Sequence, residues 1–336
     1  MHARPPHFFG VPPDTADMSG SFDVSRRQAL SGIGALVVAG GVGYTAFDDG
    51  GSWRVAETPV DVSLHDVVAT ADGRYAVGDG GVIVTRGEQG WETVRETGVT
   101  GDGRDLAAAS VTEDGGRLWV AGASGVVGEY DVATDTMTSH AAPNDDTDDY
   151  RALAVTGVAD EANVYVADAA GHVHYSFGDG ATGTWDAVTP GSGASLPALD
   201  CYGPRAGHAV DTNGTVFATA DGETWSNIGV EDANVDFYGI DGGAADDVDV
   251  VGGNGTVRRY DGRTWSRRDL GDATLRDVER TERGVVAVGD GGVVFHGGGG
   301  SWSADDTPTG ATLRAVAVGD PTVAVGDGGV VLERTR

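Results

Sequence analysis

Arginine is the only strong cation this chain has to work with: its 22 basic residues include no lysine, against 52 acidic ones. A phosphate loop of the Walker type, a Schiff base and pyridoxal attachment each need an amine at a fixed place, so those chemistries are excluded. A single Cys201 excludes internal disulfides and multi-cysteine metal or redox motifs, and reads as a small core residue. The remaining groups form three constellations. One place after the expected start of a recurring apolar strand stand His65, Arg104, Arg151, Pro197, Tyr238, Arg276 and Arg314. If a closed fold brings them together, they form a basic crescent able to attract an anionic group or an acidic partner. The competing structural role is pairing with strand carboxylates such as Asp66, Asp105 and Asp277.

The second constellation is Arg258, Arg259, Arg263, Arg267 and Arg268. With a turn at Asp261-Gly262, alternation puts Arg258, Arg263 and Arg267 on one face with Tyr260 and Trp265, an aromatic and cationic face suited to an interface. The third is metal-like. The run Asn144-Asp-Asp-Thr-Asp-Asp149 is acidic but lacks the spacing of a calcium loop, and reads as a solvated loop. His172 and His174 share one strand face, but no third ligand is visible in sequence, so no metal site and no cofactor is expected.

These residues are positioned by a repeat. Val-Ala-Val-Gly-Asp-Gly-Gly-Val-Val occurs at Val286–Val294 and again at Val323–Val331, with a near copy at Tyr75–Ile83. Each copy reads as strand, two-residue turn, strand, in which Asp79, Asp290 and Asp327 are turn formers. Degenerate copies keep the turn, so its second glycine recurs at 81, 125, 171, 214, 255, 292 and 329. Seven copies at intervals of 37 to 46 residues specify a repeat architecture. Each divides into four strands, with Trp91, Trp185, Trp225, Trp265 and Trp302 marking the fourth. Repeat seven stops at Arg336 with three strands, while Gly51-Ser-Trp-Arg-Val55 precedes repeat one without a partner. The two ends therefore complete one sheet. The expectation is an all-β, seven-bladed β-propeller of four-stranded blades over 49–336, with the N-terminal strand closing the last blade.

Upstream, residues 1–22 are proline-rich and expected to be disordered, with Met18 an alternative start. Within 23–48, Ser25-Arg26-Arg27-Gln28-Ala29-Leu30 resembles a twin-arginine export motif, and the uncharged run Ala29–Phe47 follows. As a helix that run would rise about 28 Å, enough to span a hydrocarbon core. Export or membrane anchoring through this segment is expected, with the ring on the outer face of the cytoplasmic membrane or secreted. A net charge of −30 without lysine suits solubility in molar salt, a halophilic reading, and repels nucleic acid.

The run Leu-x-x-Val, Ala-Val-Gly-Asp-Gly-Gly, then Asp-Gly-x-Thr-Trp resembles the BNR or Asp-box propellers. Within them it is similar to the photosystem II assembly-factor type of WD/YVTN/BNR-like repeat, here of halophilic archaeal type. Thr219-Ala-Asp221-Gly222-Glu-Thr224-Trp225 is the best match to an Asp-box, one residue short. The resemblance implies a structural role for that box, and assembly, scaffold or binding roles rather than catalysis. The expected function is thus a monomeric, non-enzymatic protein-binding scaffold using the channel-mouth residues. The alternative is a sialidase-like glycoside hydrolase whose arginine cluster clamps a substrate carboxylate. That reading needs a catalytic acid pair which the sequence does not single out.

Overall fold

The computed structural model describes residues 51–335, apart from 231, 232, 282, 283 and 299. The segments 1–22 and 23–48, with Arg26, Arg27 and the apolar run, lie outside the described residues. Among those described, no helix is long and apolar enough to cross a membrane.

The chain forms seven four-stranded antiparallel sheets. Blade 1 holds β2 (Leu64–Thr70), β3 (Gly73–Gly78), β4 (Ile83–Gly87) and β5 (Gly90–Arg95). Blade 2 holds β6 (Leu106–Val111), β7 (Arg117–Gly122), β8 (Val127–Asp131) and β9 (Thr136–Ser139). Blade 3 holds β10 (Tyr150–Thr156), β11 (Asn163–Asp168), β12 (Val173–Ser176) and β13 (Trp185–Val188). Blade 4 holds β14 (Ala198–Gly203), β15 (Ala206–Val210), β16 (Val216–Thr219) and β17 (Ser226–Asn227). Blade 5 holds β18 (Phe237–Ala244), β19 (Asp247–Gly252), β20 (Thr256–Tyr260) and β21 (Trp265–Asp269). Blade 6 holds β22 (Leu275–Thr281), β23 (Gly284–Gly289), β24 (Val294–Gly298) and β25 (Ser301–Ala304). Blade 7 joins β26 (Leu313–Ala317), β27 (Thr322–Gly326) and β28 (Val331–Arg334) to β1 (Trp53–Ala56). Trp53 pairs with Arg334 and Ala56 with Val331, so the first strand closes the last blade as expected.

The innermost strands touch their neighbours all the way round, β26 meeting β2. Alternation within each strand sends apolar side chains to both faces of the blade, and the core is divided accordingly. Among the described residues seven buried clusters occur, one at each junction between adjacent blades. The fourth-strand tryptophans reach back to the preceding blade: Trp91 donates to Glu333 at 3.1 Å and Trp265 to the carbonyl of Ile228 at 3.2 Å.

A second set of bonds holds the ring from inside. The inner edge of each inner strand has no fifth strand to pair with, so its N–H groups need other acceptors. Asp66 of blade 1 accepts the N–H of Ala109 in blade 2 at 2.8 Å, and Asp277 of blade 6 accepts that of Val316 in blade 7 at 2.9 Å. Two residues further along the inner strand, Asp200 accepts from Gly242 at 2.8 Å, Asp241 from Arg280 at 2.8 Å, and Glu279 from Val318 at 2.6 Å. Each carboxylate serves the blade that follows it.

The repeated turn differs from the two-residue hairpin expected. Asp79–Gly81 form a short 3-10 turn, and β4 resumes only at Ile83. Its second glycine has two reasons to be glycine. Gly329 has φ 71°, and a Cβ there would lie 2.2 Å from the carbonyl oxygen of Val60 in the segment that leads into blade 1. Gly328 beside it has φ 67° and open space around it. Gly328→Ala should therefore lower stability by about 1 kcal/mol, the left-handed backbone alone, whereas Gly329→Ala should lose at least about 3 kcal/mol. Urea unfolding followed by circular dichroism compares them; equal losses would show that the crossing chain imposes nothing.

Candidate binding mouth of the ring

The crescent is built by a register shift. In β2, β10, β18, β22 and β26 the pairing with the next strand skips one residue, a β-bulge. The skipped residues are His65, Arg151, Tyr238, Arg276 and Arg314. A bulge turns its extra side chain away from the sheet faces, and here it does so at the same end of five blades. In blade 4, Pro197 directly precedes β14.

Arg104 does not occupy the equivalent place in blade 2. The bulge of blade 2 falls between Leu106 and Ala108, so the equivalent residue is Ala107. Arg104 precedes β6 and arrives at the same end by another route, donating to the carbonyl of Ser124 at 2.9 Å in its own blade's turn. At blade 2 the bulge itself therefore carries only a methyl group.

Its cations are paired, and with partners other than those expected. Arg276 grips Asp290 through Nε at 2.8 Å and a terminal nitrogen at 3.0 Å. Arg314 Nε donates to Asp327 at 2.5 Å, and His65 Nε2 lies 2.6 Å from Asp79. The turn aspartates, expected only to form turns, are thus also the crescent's counter-ions. Asp66 and Asp277 serve backbone N–H groups as described, and Asp105 accepts the N–H of Gly80 at 2.7 Å. Arg151 pairs with Asp149 at 3.3 Å and Arg104 with Asp102 at 2.7 Å. Tyr238 donates to Asp236 at 3.1 Å, and the Arg276 guanidinium lies over its ring at 4.9 Å. The hydrogen bond from Arg276 holds the Asp290 carboxyl below the usual carboxylate range. These pairs are half exposed, with Arg151 at 47% and Arg314 at 37% of the free side-chain area. Arg314 and Arg151 each commit one nitrogen of a guanidinium that carries five N–H donors.

A small cavity lies among the inner strands of blades 1 to 4. It has about 20 Å3, room for one water, and is lined by Val68, Ser110, Leu153, Asp200 and Cys201 among others. Cys201 is buried, as expected of a core residue.

The blade-five face turns out to be a junction between blades. Arg258, Tyr260, Trp265 and Arg267 do share a face, since Tyr260 pairs with Trp265 and Arg258 with Arg267. Trp265 and Tyr260, however, pack on Ile228 and Val230 of the preceding blade, and Arg258 is only 7% exposed. Arg263 lies in the turn, its N–H bonded to Asp261 at 3.0 Å, and Arg267 pairs with Asp269 at 2.8 Å. The Asp-box is a structural turn: Asp221 accepts the N–H groups of Glu223 and Thr224 at 2.9 and 2.7 Å. The two motifs set aside as metal ligands are brought together, Asp146 of the acidic run lying 3.0 Å from His174.

No protein-family model matches this sequence, and no curated protein matches it either. Solved structures do. YCF48 bound to a D1 peptide superposes with a TM-score of 0.69 at 16% identity, over 88% of this chain and all of that one. The WD40 repeats of RRP9 give 0.68 at 14% identity, over 85% and 98%. Virginiamycin B lyase from Staphylococcus aureus gives 0.73 at 10% identity, over 85% and 99%. The fold is shared. At these identities the likeness is one of architecture, and the functions of such propellers differ among themselves.

Proposed function

We propose that this propeller is a non-enzymatic scaffold that takes a segment of another protein at the mouth carrying His65, Arg104, Arg151, Tyr238, Arg276 and Arg314. The observation that carries this reading is the bulge set: five blades spend an irregular residue to turn a polar or cationic side chain to one end. Each guanidinium there is pre-oriented by an aspartate, a turn aspartate for Arg276 and Arg314, Asp149 for Arg151 and Asp102 for Arg104, while keeping donors for a ligand. A carboxylate-bearing peptide suits this surface, because bound acidic groups would share arginines already fixed in place. The D1 peptide held by YCF48, a propeller of the same fold, is consistent with a protein ligand. The carboxylates facing the arginines are taken up one to one as ion pairs, an arrangement for recognition rather than for acid–base catalysis.

We further propose that Arg26-Arg27 and the run 29–47 export or anchor the ring on the outer side of the membrane, where an acidic, lysine-free surface keeps it soluble in high salt.

The test is an affinity capture from membrane extract with wild-type chain and with Arg276→Gln/Arg314→Gln. Because these pairs are a third exposed, stability should fall by only about 1 kcal/mol, while capture of a specific partner should fall at least about tenfold. An unchanged set of captured proteins, with both chains folded, would remove the mouth from the functional account.

A further inference from the structure

Blade 3 departs from most of the other blades at three neighbouring positions. At the end of its second strand, where blades 1, 2, 5, 6 and 7 carry Gly78, Gly122, Gly252, Gly289 and Gly326, it has Asp168. After the turn it has His172 and His174. Blade 4 is an internal control. It also replaces the glycine, by Asp211, whose Oδ1 accepts the N–H groups of Asn213 at 3.0 Å and Thr215 at 2.8 Å. Asp168 Oδ1 makes the matching bonds to Ala170 and His172, both at 2.8 Å. Strand register places Thr215 and Phe217 of blade 4 where blade 3 has the two histidines. The turn is therefore made without imidazoles, and Asp168 Oδ2 and both rings are additional.

They converge. His172 Nδ1 lies 2.8 Å and His174 Nε2 3.1 Å from Asp168 Oδ2, and Asp146 Oδ2 reaches His174 Nε2 at 3.0 Å from the loop between blades 2 and 3. All four donor atoms lie within 4.8 Å of one another. Asp168 and His174 form a buried floor, while His172 is 39% and Asp146 21% exposed, so the site opens to solvent on one side. A second observation points to an occupant. Tyr150 is fully buried with its ring edge-on to His174 at 5.5 Å, and its hydroxyl has no hydrogen-bond partner among the described residues.

We propose that Asp146, Asp168, His172 and His174 bind one divalent transition-metal ion, of which Zn2+ is the best fit. Two imidazoles and two carboxylates make a borderline nitrogen and oxygen set, unsuited to Ca2+, which takes oxygen ligands. Ligand bonds of 2.0–2.2 Å place tetrahedral donors about 3.4 Å apart, so the three short contacts need open only by tenths of an ångström, and the other donor pairs already lie within 4.8 Å. Two aspartates and two neutral histidines carry a charge that a divalent ion cancels. Asp168 Oδ1, fixed by two backbone N–H groups, orients Oδ2 as an outer hydrogen-bond shell does in metal sites. The Tyr150 hydroxyl supplies a donor beside the ligating carboxylates. Bound there, the ion would staple the loop between blades 2 and 3 to the turn of blade 3.

The full chain, stripped with chelator and then reloaded with Zn2+, should retain one Zn2+ per chain on gel filtration and give the visible absorption of tetrahedral Co2+ when loaded with cobalt instead. His172→Thr/His174→Phe, which installs the residues of blade 4, should weaken Zn2+ at least about 100-fold, since even outer-shell changes cost 10–100-fold. Asp146→Asn changes only a loop residue at the rim, so its fold is preserved if the double variant's is not. It should weaken Zn2+ about tenfold or more. Zn2+ affinity unchanged in folded Asp146→Asn or in the folded double variant, or Zn2+ displaced by equimolar Ca2+, would overturn the site.

Discussion

Removal of residues 51–60 should leave a chain that cannot hold its ring and aggregates through the bared edge of β28. Trp53 is 6% exposed and packs among Val286, Val288, Leu313 and Leu332 in the junction of blades 6 and 7. Its indole donates to Asp305 at 2.9 Å. Truncating a buried tryptophan alone costs about 3–5 kcal/mol. The four-residue ladder to β28 and the bond from Arg334 to the carbonyl of Gly51 at 3.0 Å go with it. Together these approach the whole stability of a typical domain, about 5–15 kcal/mol. A chain lacking only the residues before 49 should stay monomeric. Size-exclusion chromatography of the two truncations decides the matter, and equal solubility would mean that closure does not depend on β1.

The second large effect is expected at Glu333, whose carboxylate is buried where blade 7 meets blade 1. It accepts from Arg54 at 3.0 Å, Arg86 at 2.7 Å and Trp91 at 3.1 Å, so one side chain joins β1, β28 and two strands of blade 1. Glu333→Ala leaves the buried indole N–H and two arginines without their acceptor, and should cost about 3 kcal/mol. The loss also has a pH signature. Burial works to raise this carboxyl, but the hydrogen bonds from Arg86, Arg54 and Trp91 outweigh it and hold it below its usual value. A carboxyl depressed in the folded state contributes fully above its unfolded value, about pH 4.3, and the contribution disappears as pH falls through the folded value. Wild type should therefore lose more melting temperature than Glu333→Gln between about pH 5 and pH 2. Parallel acid profiles of the two proteins would show that Glu333 is not a linkage group.

Glu333 illustrates what was legible in the sequence. Its strand, its blade and the pairing of that strand with Gly51–Val55 follow from a three-strand last repeat and a spare Ser-Trp strand at the other end. Its partners Arg86 and Trp91 lie some 240 residues away and are neighbours only because the ring closes.

By itself the sequence determined the number of blades, four strands in each, the closing strand and the position of every repeated turn. These depend on local chemistry: alternation of apolar residues with period two, a glycine at positive φ, an aspartate that caps its own turn. Tertiary structure alone decided the rest. A one-residue bulge, invisible in an alternating pattern, put Ala107 rather than Arg104 at the skipped position of blade 2, and put His65, Arg151, Tyr238, Arg276 and Arg314 at that position in five other blades. It gave Arg276 and Arg314 to turn aspartates thirteen or fourteen residues ahead, and left Asp66 and Asp277 to the backbone of the next blade. Packing between blades buried the aromatic face of blade 5. Asp146 and the histidine pair, more than twenty residues apart and each insufficient to hold an ion, became one cluster because the loop from blade 2 crosses the turn of blade 3. Ion pairing and metal ligation depend on distances between elements, and those distances are set when the blades pack.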